Sequence, residues 1–344
     1  MSATRVLVAM SGGVDSSVAA ALLRDEGHEV TGVTLKLWGG KSDSGCCSAA
    51  DVEDARRVAA QLDIPHYVFN FTDDFDARVV GPYVDAYADG RTPNPCVECN
   101  RSIKFGRLLE RADALGFDAV ATGHHARVRC GPGGRRELLR GGDAAKDQSY
   151  VLYMLGQAEL ARTLLPVGEL TKAQVREHAS RLGLRTAAKA ESMDVCFITR
   201  GSRERFLTER AGARPGSVVD TGGEVLGAHE GVAAFTIGQR RGVGVATGER
   251  RYVVDLDAHT DTVVLGRRDD LLRNGATLRD LRFVHEPPAA GDALDVQVRA
   301  HGTPMSGSLD GSIVRFARPQ PRVAPGQVVA LYDGDTLLGG GIAT

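Results

Sequence analysis

The chain has 344 residues, with 42 Lys and Arg against 44 Asp and Glu and a formal charge of −2. A hydrophobic share of 42% beside 25% charged residues is ordinary for a globular protein, and the length suggests two or three domains. The apolar runs are too short to cross a bilayer and no long apolar core opens the chain, so the expectation is cytoplasmic residence with no membrane partner. The small net charge gives no global sign of nucleic-acid binding and does not exclude it, because a local basic face is what matters.

Residues 5–10 form a short apolar run that reads as a buried strand. It breaks at Ser11-Gly12-Gly13 and resumes as a helix through Ser16, Val18, Leu22 and Leu23, which Gly27 can end. Strand, glycine turn and helix together offer free backbone N–H groups and a positive helix terminus to phosphate. Ser11, Ser16 and Ser17 add hydroxyl donors. No Lys-Ser/Thr pair follows the glycines, and three spaced glycines are absent, so neither a Walker A loop nor a dinucleotide fingerprint is present. An ordinary tight turn would also use two glycines, but it does not require the flanking serines and Asp15. Ser11-Gly12-Gly13-Val14-Asp15-Ser16 resembles the PP-loop of the ATP pyrophosphatases, which adenylate a substrate and release pyrophosphate.

Further along, strand and helix alternate. Residues 29–37 read as a second strand, and residues 49–62 as a helix with Val52, Ala55, Ala59 and Leu62 on one stripe. A third strand over 66–71 follows Pro65; a helix over 104–115 closes at Gly116; a fourth strand covers 118–122. This alternation predicts a doubly wound parallel α/β sheet, with ligands beyond the carboxyl ends of its strands. The Ser-Gly-Gly loop and Gly123-His124-His125 would both emerge there. Residues 131–134 form a glycine-rich loop, residues 140–150 are polar and precede an apolar helix, and Thr171 caps a helix reaching residue 182.

The texture changes after about residue 205, where strand-like pieces become short and glycine-punctuated. Residues 217–219, 232–237, 252–256 and 262–265 suggest a small mixed, β-rich domain over 205–273, after an α/β domain over 1–204. Runs at 293–300, 312–317, 327–332 and 336–342 suggest a C-terminal β-barrel over 274–344. Asp310-Gly311 and Asp333-Gly334 are hairpin turn signals. Asn274-Gly275 and Glu286-Pro287-Pro288 are candidate boundaries.

The six cysteines are Cys46, Cys47, Cys96, Cys99, Cys130 and Cys196. In an intracellular chain they suit redox, metal or catalytic roles better than structural disulfides. Cys96-Val97-Glu98-Cys99 lies among prolines, which predict a constrained loop rather than a helix. A zinc ribbon would need a second Cys-x-x-Cys or paired histidines at suitable spacing, and a thioredoxin-like motif a different context. Cys196, between Val195 and Phe197, reads equally as a buried small apolar residue or as a reactive partner for that pair. Cys46-Cys47 and Cys130 read as structurally incidental.

Several motifs then agree in order. They are Ser11 to Ser16, Gly45-Cys46-Cys47-Ser48, Gly90-Arg91-Thr92-Pro93-Asn94-Pro95 with Cys99-Asn100, and Ala121-Thr122-Gly123-His124. Lys146-Asp147-Gln148-Ser149-Tyr150, Asp194-Val195-Cys196-Phe197-Ile198, Thr236-Ile237-Gly238-Gln239-Arg240 and Leu338-Gly339-Gly340-Gly341-Ile342 follow. Nearly end to end, the chain resembles the tRNA-specific 2-thiouridylases (MnmA/TrmU family), whose catalytic domain is an adenine nucleotide alpha hydrolase-like PP-loop fold.

The resemblance implies sulfur insertion at C2 of the wobble uridine in tRNAs for Lys, Glu and Gln. A uracil carbonyl oxygen leaves poorly; adenylation by ATP converts it into AMP, and a sulfur nucleophile attacks C2. Cys196 would carry a persulfide, and Cys99 would be the nucleophile that releases the sulfur through a transient disulfide with Cys196. Both would act as thiolates, favoured by a cation such as Arg101 or Lys104. The implied nucleotide contacts are Ala9, Met10, Ser11, Gly12, Gly13, Val14, Asp15, Ser16, Leu35 and Gly123, with Mg²⁺ accompanying ATP through Asp15. Asn94, Pro95 and Cys96 would meet the target base; His124, Lys146, Asp147, Gln148, Arg299, Ala300 and Gln327 would meet the tRNA. A sulfur donor protein, either a cysteine desulfurase or a sulfur relay, is the implied second partner.

Two positions depart from the pattern. Cys96 stands where many members have Asp, and Ala300 stands where an aromatic is common. Cys96, Cys99 and Cys196 would supply three ligands to a [4Fe–4S] cluster and leave one iron open for sulfur, which is the alternative route. Two other readings remain: a PP-loop ligase acting on a small molecule, which leaves the cysteines and the β-rich half unexplained, and a non-catalytic tRNA-binding module.

Overall fold

The computed structural model describes residues 4–38, 48–190, 195–198, 203–212, 214–245, 248–300 and 302–344. Cys46, Cys47 and Asp194, which the motif reading included, lie outside the described residues. The N-terminal strands are β1 (Arg5–Ala9), β2 (Glu29–Lys36), β3 (His66–Asn70), β4 (Ala119–Ala121), β5 (Ala126–Cys130), β6 (Arg136–Arg140) and β7 (Thr163–Leu164). Five of them form one all-parallel sheet in the order β3-β2-β1-β4-β7. The predicted doubly wound sheet is therefore present.

Helices cover both faces, which is why β1 is apolar throughout rather than alternating. Val6 and Val8 face a core built with α1 (Val14–Asp25) and α2 (Ala49–Gln61), while Leu7 belongs to the core on the other face. That second core packs α3 (Thr72–Phe75, Asp76–Val80 and Gly81–Ala88) and α4 (Pro95–Glu98, Cys99–Arg107 and Leu108–Ala114). The helix α5 (Lys172–Arg181) returns to the first face; Thr171 accepts from the Gln174 backbone N–H, as its cap position predicts.

The structure corrects several sequence expectations. The Cys96-to-Cys99 stretch is the first turn of α4, not a loop. Pro95 sits at its first position, where no N–H is needed, and the constraint proline imposes falls on Asn94, which is extended and caps the helix. Asn94 Oδ1 accepts from the Cys96 N–H at 3.0 Å. The midsection of α4, Cys99–Arg107, is wound as a π-helix. The apolar residues after Tyr150 form only a short turn, Ser149–Leu152; Tyr150, Leu152, Tyr153 and Leu155 are apolar because they are buried core. Residues 232–237 form a turn at Val232–Ala234 rather than a strand.

The central strands Gly216–Asp220, Val225–His229, Tyr252–Asp257 and Thr262–Gly266 make one four-stranded sheet. Beyond them, six antiparallel strands close into a barrel: Leu272–Phe283, Leu294–Gln297, Met305–Asp310, Ile313–Pro321, Val328–Asp333 and Thr336–Ala343. Asn274-Gly275 lies just inside the first barrel strand, at a register shift between Arg273 and Gly275. Glu286-Pro287-Pro288 is a loop within the barrel segment. The turns at Gly311 (φ +59°) and Gly334 (φ +55°) are the expected hairpins. The Gly339-Gly340-Gly341 run has a packing cause: a Cβ on Gly340 would stand 2.4 Å from the Val329 carbonyl oxygen.

The β5–β6 hairpin was not foreseen. Its glycine-rich tip is the loop at residues 131–134, and β6 pairs with the last barrel strand through Leu138↔Leu337 and Leu139↔Thr336. The α/β portion and the barrel thus share one eight-stranded sheet. Leu138 is fully buried there among Val328, Tyr332 and Leu337. Leu138→Ala should lower unfolding free energy by about 2–5 kcal/mol. Equilibrium urea unfolding measures this; a loss under about 1 kcal/mol would show that the hairpin seam is not cooperative with the core.

Candidate active site

The Ser11-Gly12-Gly13 turn is built by close backbone approaches. Gly12 has φ +72°, and a Cβ there would sit 2.3 Å from the Asp51 carbonyl oxygen, so only glycine fits against the start of α2. Gly123, just after β4, would place a Cβ 2.6 Å from the Ser16 backbone nitrogen. The end of β4 therefore rests on the first turn of α1. Ser16 Oγ accepts from the Ser11 N–H at 3.2 Å, and Ser17 Oγ donates to the Gly13 carbonyl at 2.8 Å. No side chain among the described residues caps α1, and Gly13, Asp15 and Ser16 at its start line the cavity described below.

Asp15 does not stand alone beside this turn. Lys172 Nζ reaches its two oxygens at 2.7 and 2.6 Å, and His125 Nε2 lies 3.1 Å from Oδ1. Burial pushes the Asp15 carboxyl up, but the hydrogen bonds from His125 and Lys172 and their charges outweigh it, leaving the group below the usual carboxylate range. Lys189 clamps the other side of the turn, donating to the Gly12 carbonyl at 3.0 Å and to Asp51 and Asp54 at 2.7 Å each.

A cavity of about 270 Å³ opens over the turn. Ala9, Met10, Ser11, Gly13, Asp15, Ser16, Leu35 and Gly123 line it, together with Cys96, Cys99 and Cys196. Of the expected nucleotide contacts, Gly12 and Val14 are absent from its wall; Gly12 is buried behind the turn, and Val14 lines the wider opening beside it. Cys99 is buried on α4, Cys196 is half-buried, and Cys96 is exposed. Phe197 holds the Cys196 segment in place, its ring 5.4–6.1 Å from those of Trp38, Phe75, Tyr83 and Phe206.

A wider opening of about 790 Å³ shares Gly13, Asp15, Pro95, Cys96, Lys104, His124 and Gln148 with the first. All the expected RNA contacts line it: Asn94, Pro95, Cys96, His124, Lys146, Asp147 and Gln148 from the α/β portion, with Arg299, Ala300 and Gln327 from the barrel. Asp147 is the exception in kind. It is buried, and its carboxylate accepts from the Gly141 and Ser149 N–H groups, the Ser149 hydroxyl and Arg140 at 2.9–3.2 Å. Its side chain shapes the loop and is not free for a ligand. Arg240 and Arg241 line neither opening.

His124 is buried between Thr122, whose hydroxyl lies 2.6 Å from Nδ1, and Lys104, whose Nζ lies 3.5 Å from Nε2. Burial first, then the Lys104 charge, holds its pKa well below the ordinary histidine value. The neutral ring donates from Nδ1 to Thr122 and accepts from Lys104 at Nε2.

Sequence reading missed Lys172, Lys189 and His125 as site residues. Lys172 and Lys189 lie more than 150 residues from the turn they serve, and only His125's place beside the recognised His124 gave any signal. Among the described residues, no helix is long and apolar enough to cross a membrane, and no three His, Cys, Asp or Glu side chains are placed to hold a metal ion.

Family models cover the chain in three consecutive pieces. A tRNA methyl transferase HUP domain matches residues 4–200, a tRNA methyl transferase PRC-barrel domain matches 204–267, and an aminomethyltransferase beta-barrel domain matches 273–343. A tRNA-specific 2-thiouridylase MnmA of Chloroflexus aggregans is 50% identical over 348 residues, covering 98% of this chain and 97% of that protein. Proteins of the same name from a Roseiflexus species and from Geobacter metallireducens are 47% and 46% identical, each covering 98% of this chain and 98% and 96% of their own lengths. With identity at this level along nearly the whole of both chains, and a glycine turn that shares one cavity with Cys99 and Cys196, the chain belongs to the tRNA-specific 2-thiouridylase (MnmA) family.

Proposed function

We propose that this protein uses ATP to replace the C2 oxygen of the wobble uridine with sulfur in tRNAs for Lys, Glu and Gln. The observation that carries the reading is a single continuous opening with the start of α1 on one wall and Cys99 and Cys196 on another. The α1 N–H groups and Ser11 hold the phosphates, and Gly12 and Gly123 let the surrounding backbone close up behind the turn. The uracil oxygen attacks the α-phosphorus and pyrophosphate leaves, so that C2 now bears AMP as a leaving group.

The terminal sulfur of a Cys196 persulfide then attacks C2, and the C2–O bond breaks with its electron pair going to AMP. Cys99 attacks Cys196 Sγ as a thiolate. The S–S bond to the transferred sulfur breaks, a Cys99–Cys196 disulfide forms, and the sulfur stays on C2. An external thiol reductant restores both cysteines, and a donor protein recharges Cys196. The reaction takes place in the cytoplasm, where its tRNA is.

Mg²⁺ fits as a companion of the ATP phosphates rather than as a resident ion, since both Asp15 oxygens are already held by Lys172 and His125. The three thiols line one cavity, but they are not arranged among the described residues as a metal-ligand group. No step is therefore assigned to an iron–sulfur cluster. Although two of the matching domain models are described as methyl transferase domains, an adenylating turn beside paired thiols suits sulfur transfer.

Cys99→Ser should reduce 2-thiouridine to background, measured by nucleoside mass spectrometry, with tRNA affinity unchanged. Persistent thiolation in that variant would remove Cys99 from the mechanism. Asp15→Ala strips Lys172 and His125 of their acceptor, so tRNA-dependent AMP release should fall on the order of 100-fold. Wild-type AMP release would refute the assignment of Asp15 to the nucleotide site.

His124 also sets a pH dependence of stability. Its folded pKa lies below the ordinary 6.5, so between those two values the unfolded chain binds a proton that the folded chain refuses. Stability should therefore fall as pH drops below about 6.5 and be independent of His124 above it. Urea midpoints across that range should be flatter for His124→Gln; equal slopes would contradict the buried neutral ring.

A further inference from the structure

Arg140 ends the hairpin strand β6 where the chain leaves the barrel sheet and re-enters the α/β portion. Its guanidinium lies flat on the Tyr332 ring, 3.6 Å from the centroid, and is mostly buried. Nη1 donates in two directions: to Asp147 Oδ2 at 3.2 Å and to Gln297 Oε1 at 2.7 Å. Asp147 organises the loop carrying Lys146 and Gln148 through the Gly141 and Ser149 N–H groups. Gln297, itself 2% exposed, donates its amide to the carbonyls of Arg299 and Ala300 at 3.0 Å each. Tyr332 is locked in turn, with its hydroxyl 3.0 Å from that of Ser149.

We propose that Arg140 and Gln297 are positioning residues for tRNA, fixing the barrel's 299–300 loop against the 146–148 loop so that two domains present one RNA-binding surface. Both loops line the same 790 Å³ opening. A planar guanidinium suits the task, because it can stack on Tyr332 and bridge two acceptors at once; an ammonium cannot do both. The link continues inward. Gln148 exchanges backbone and side-chain hydrogen bonds of 2.9 Å with His125, which contacts Asp15. RNA seated on the barrel is thereby held in a defined place relative to the nucleotide turn. Sequence alone gives no sign of this, since Gln297 is 157 positions from Arg140.

The inference rests on the thiolation reading, and tRNA binding without ATP tests it separately. Gln297→Glu keeps the acceptor for Arg140 and the side-chain volume, but it cannot donate to the two carbonyls. Its KM and Kd for tRNA should rise on the order of 10-fold, with kcat at saturating tRNA within about twofold of wild type. Arg140→Lys should do the same. In Arg140→Gln, which removes the charge, the salt dependence of tRNA affinity should keep the wild-type slope, because Arg140 acts through Gln297 and Asp147 rather than on phosphate. Thermal unfolding identifies any variant that fails to fold; Gln297→Glu, which is isosteric, carries the test if Arg140→Lys does not fold. Wild-type tRNA affinity in folded Gln297→Glu would overturn the proposal. A salt slope reduced by about one in folded Arg140→Gln would also overturn it, making Arg140 a direct phosphate contact. Failure of the wild-type protein to form 2-thiouridine would instead sink the thiolation reading while leaving the affinity test standing.

Discussion

Everything at the site depends on backbone lying against backbone at the carboxyl edge of the parallel sheet. Gly12 presses on the Asp51 carbonyl and Gly123 on the Ser16 nitrogen, so the loops after β1 and β4 and the start of α2 meet without side chains between them. A single methyl at either point would push these elements apart. That closeness leaves the start of α1 in the cavity wall. It also brings His125, two residues past Gly123, within reach of Asp15. The doubly wound fold explains why the opening lies at this edge; the two glycines explain its shape.

Charge at the site is arranged differently from charge on the chain as a whole. The formal charge is −2, yet the openings gather Lys104, Lys146 and Arg299, while the Asp15 and Asp147 carboxylates are neutralised by Lys172 and Arg140. The result is a locally cationic basin on a nearly neutral protein, suited to a polyanion and to triphosphate alike. Neutral His124 adds no charge of its own; it holds the Lys104 ammonium by accepting from it.

Local signals made much of the fold legible. Apolar runs followed by glycine marked β1 and α1; Thr171 marked the start of α5; Asp310-Gly311 and Asp333-Gly334 marked barrel hairpins. What failed had a tertiary cause. Prolines around Cys96 read as loop because proline is compatible with both a loop and a first helical turn, and only the Asn94 cap decides between them. The β5–β6 hairpin joins the barrel through a strand some 200 residues later, which no local pattern can announce. At the site, the phosphate turn and the cysteines were visible as motifs. Lys172, Lys189, Arg140 and Gln297 were not, because each acts through a partner distant in sequence.

The two thiols are held by different means, and the proposed chemistry makes use of that difference. Cys99 lies just beyond the first turn of α4, with the adjacent Val97 and Ile103 buried in the core, so its place is set by the helix. Among the described residues, Cys196 is flanked by the Phe197 ring in its nest of four aromatics and by buried Ile198, while the thiol itself remains half-buried in the cavity wall. In the proposed reaction a persulfide on Cys196 would meet a donor, then the base, and then Cys99, while Cys99 would act from one place. A helix under Cys99 and a short segment beside Phe197 under Cys196 suit that division.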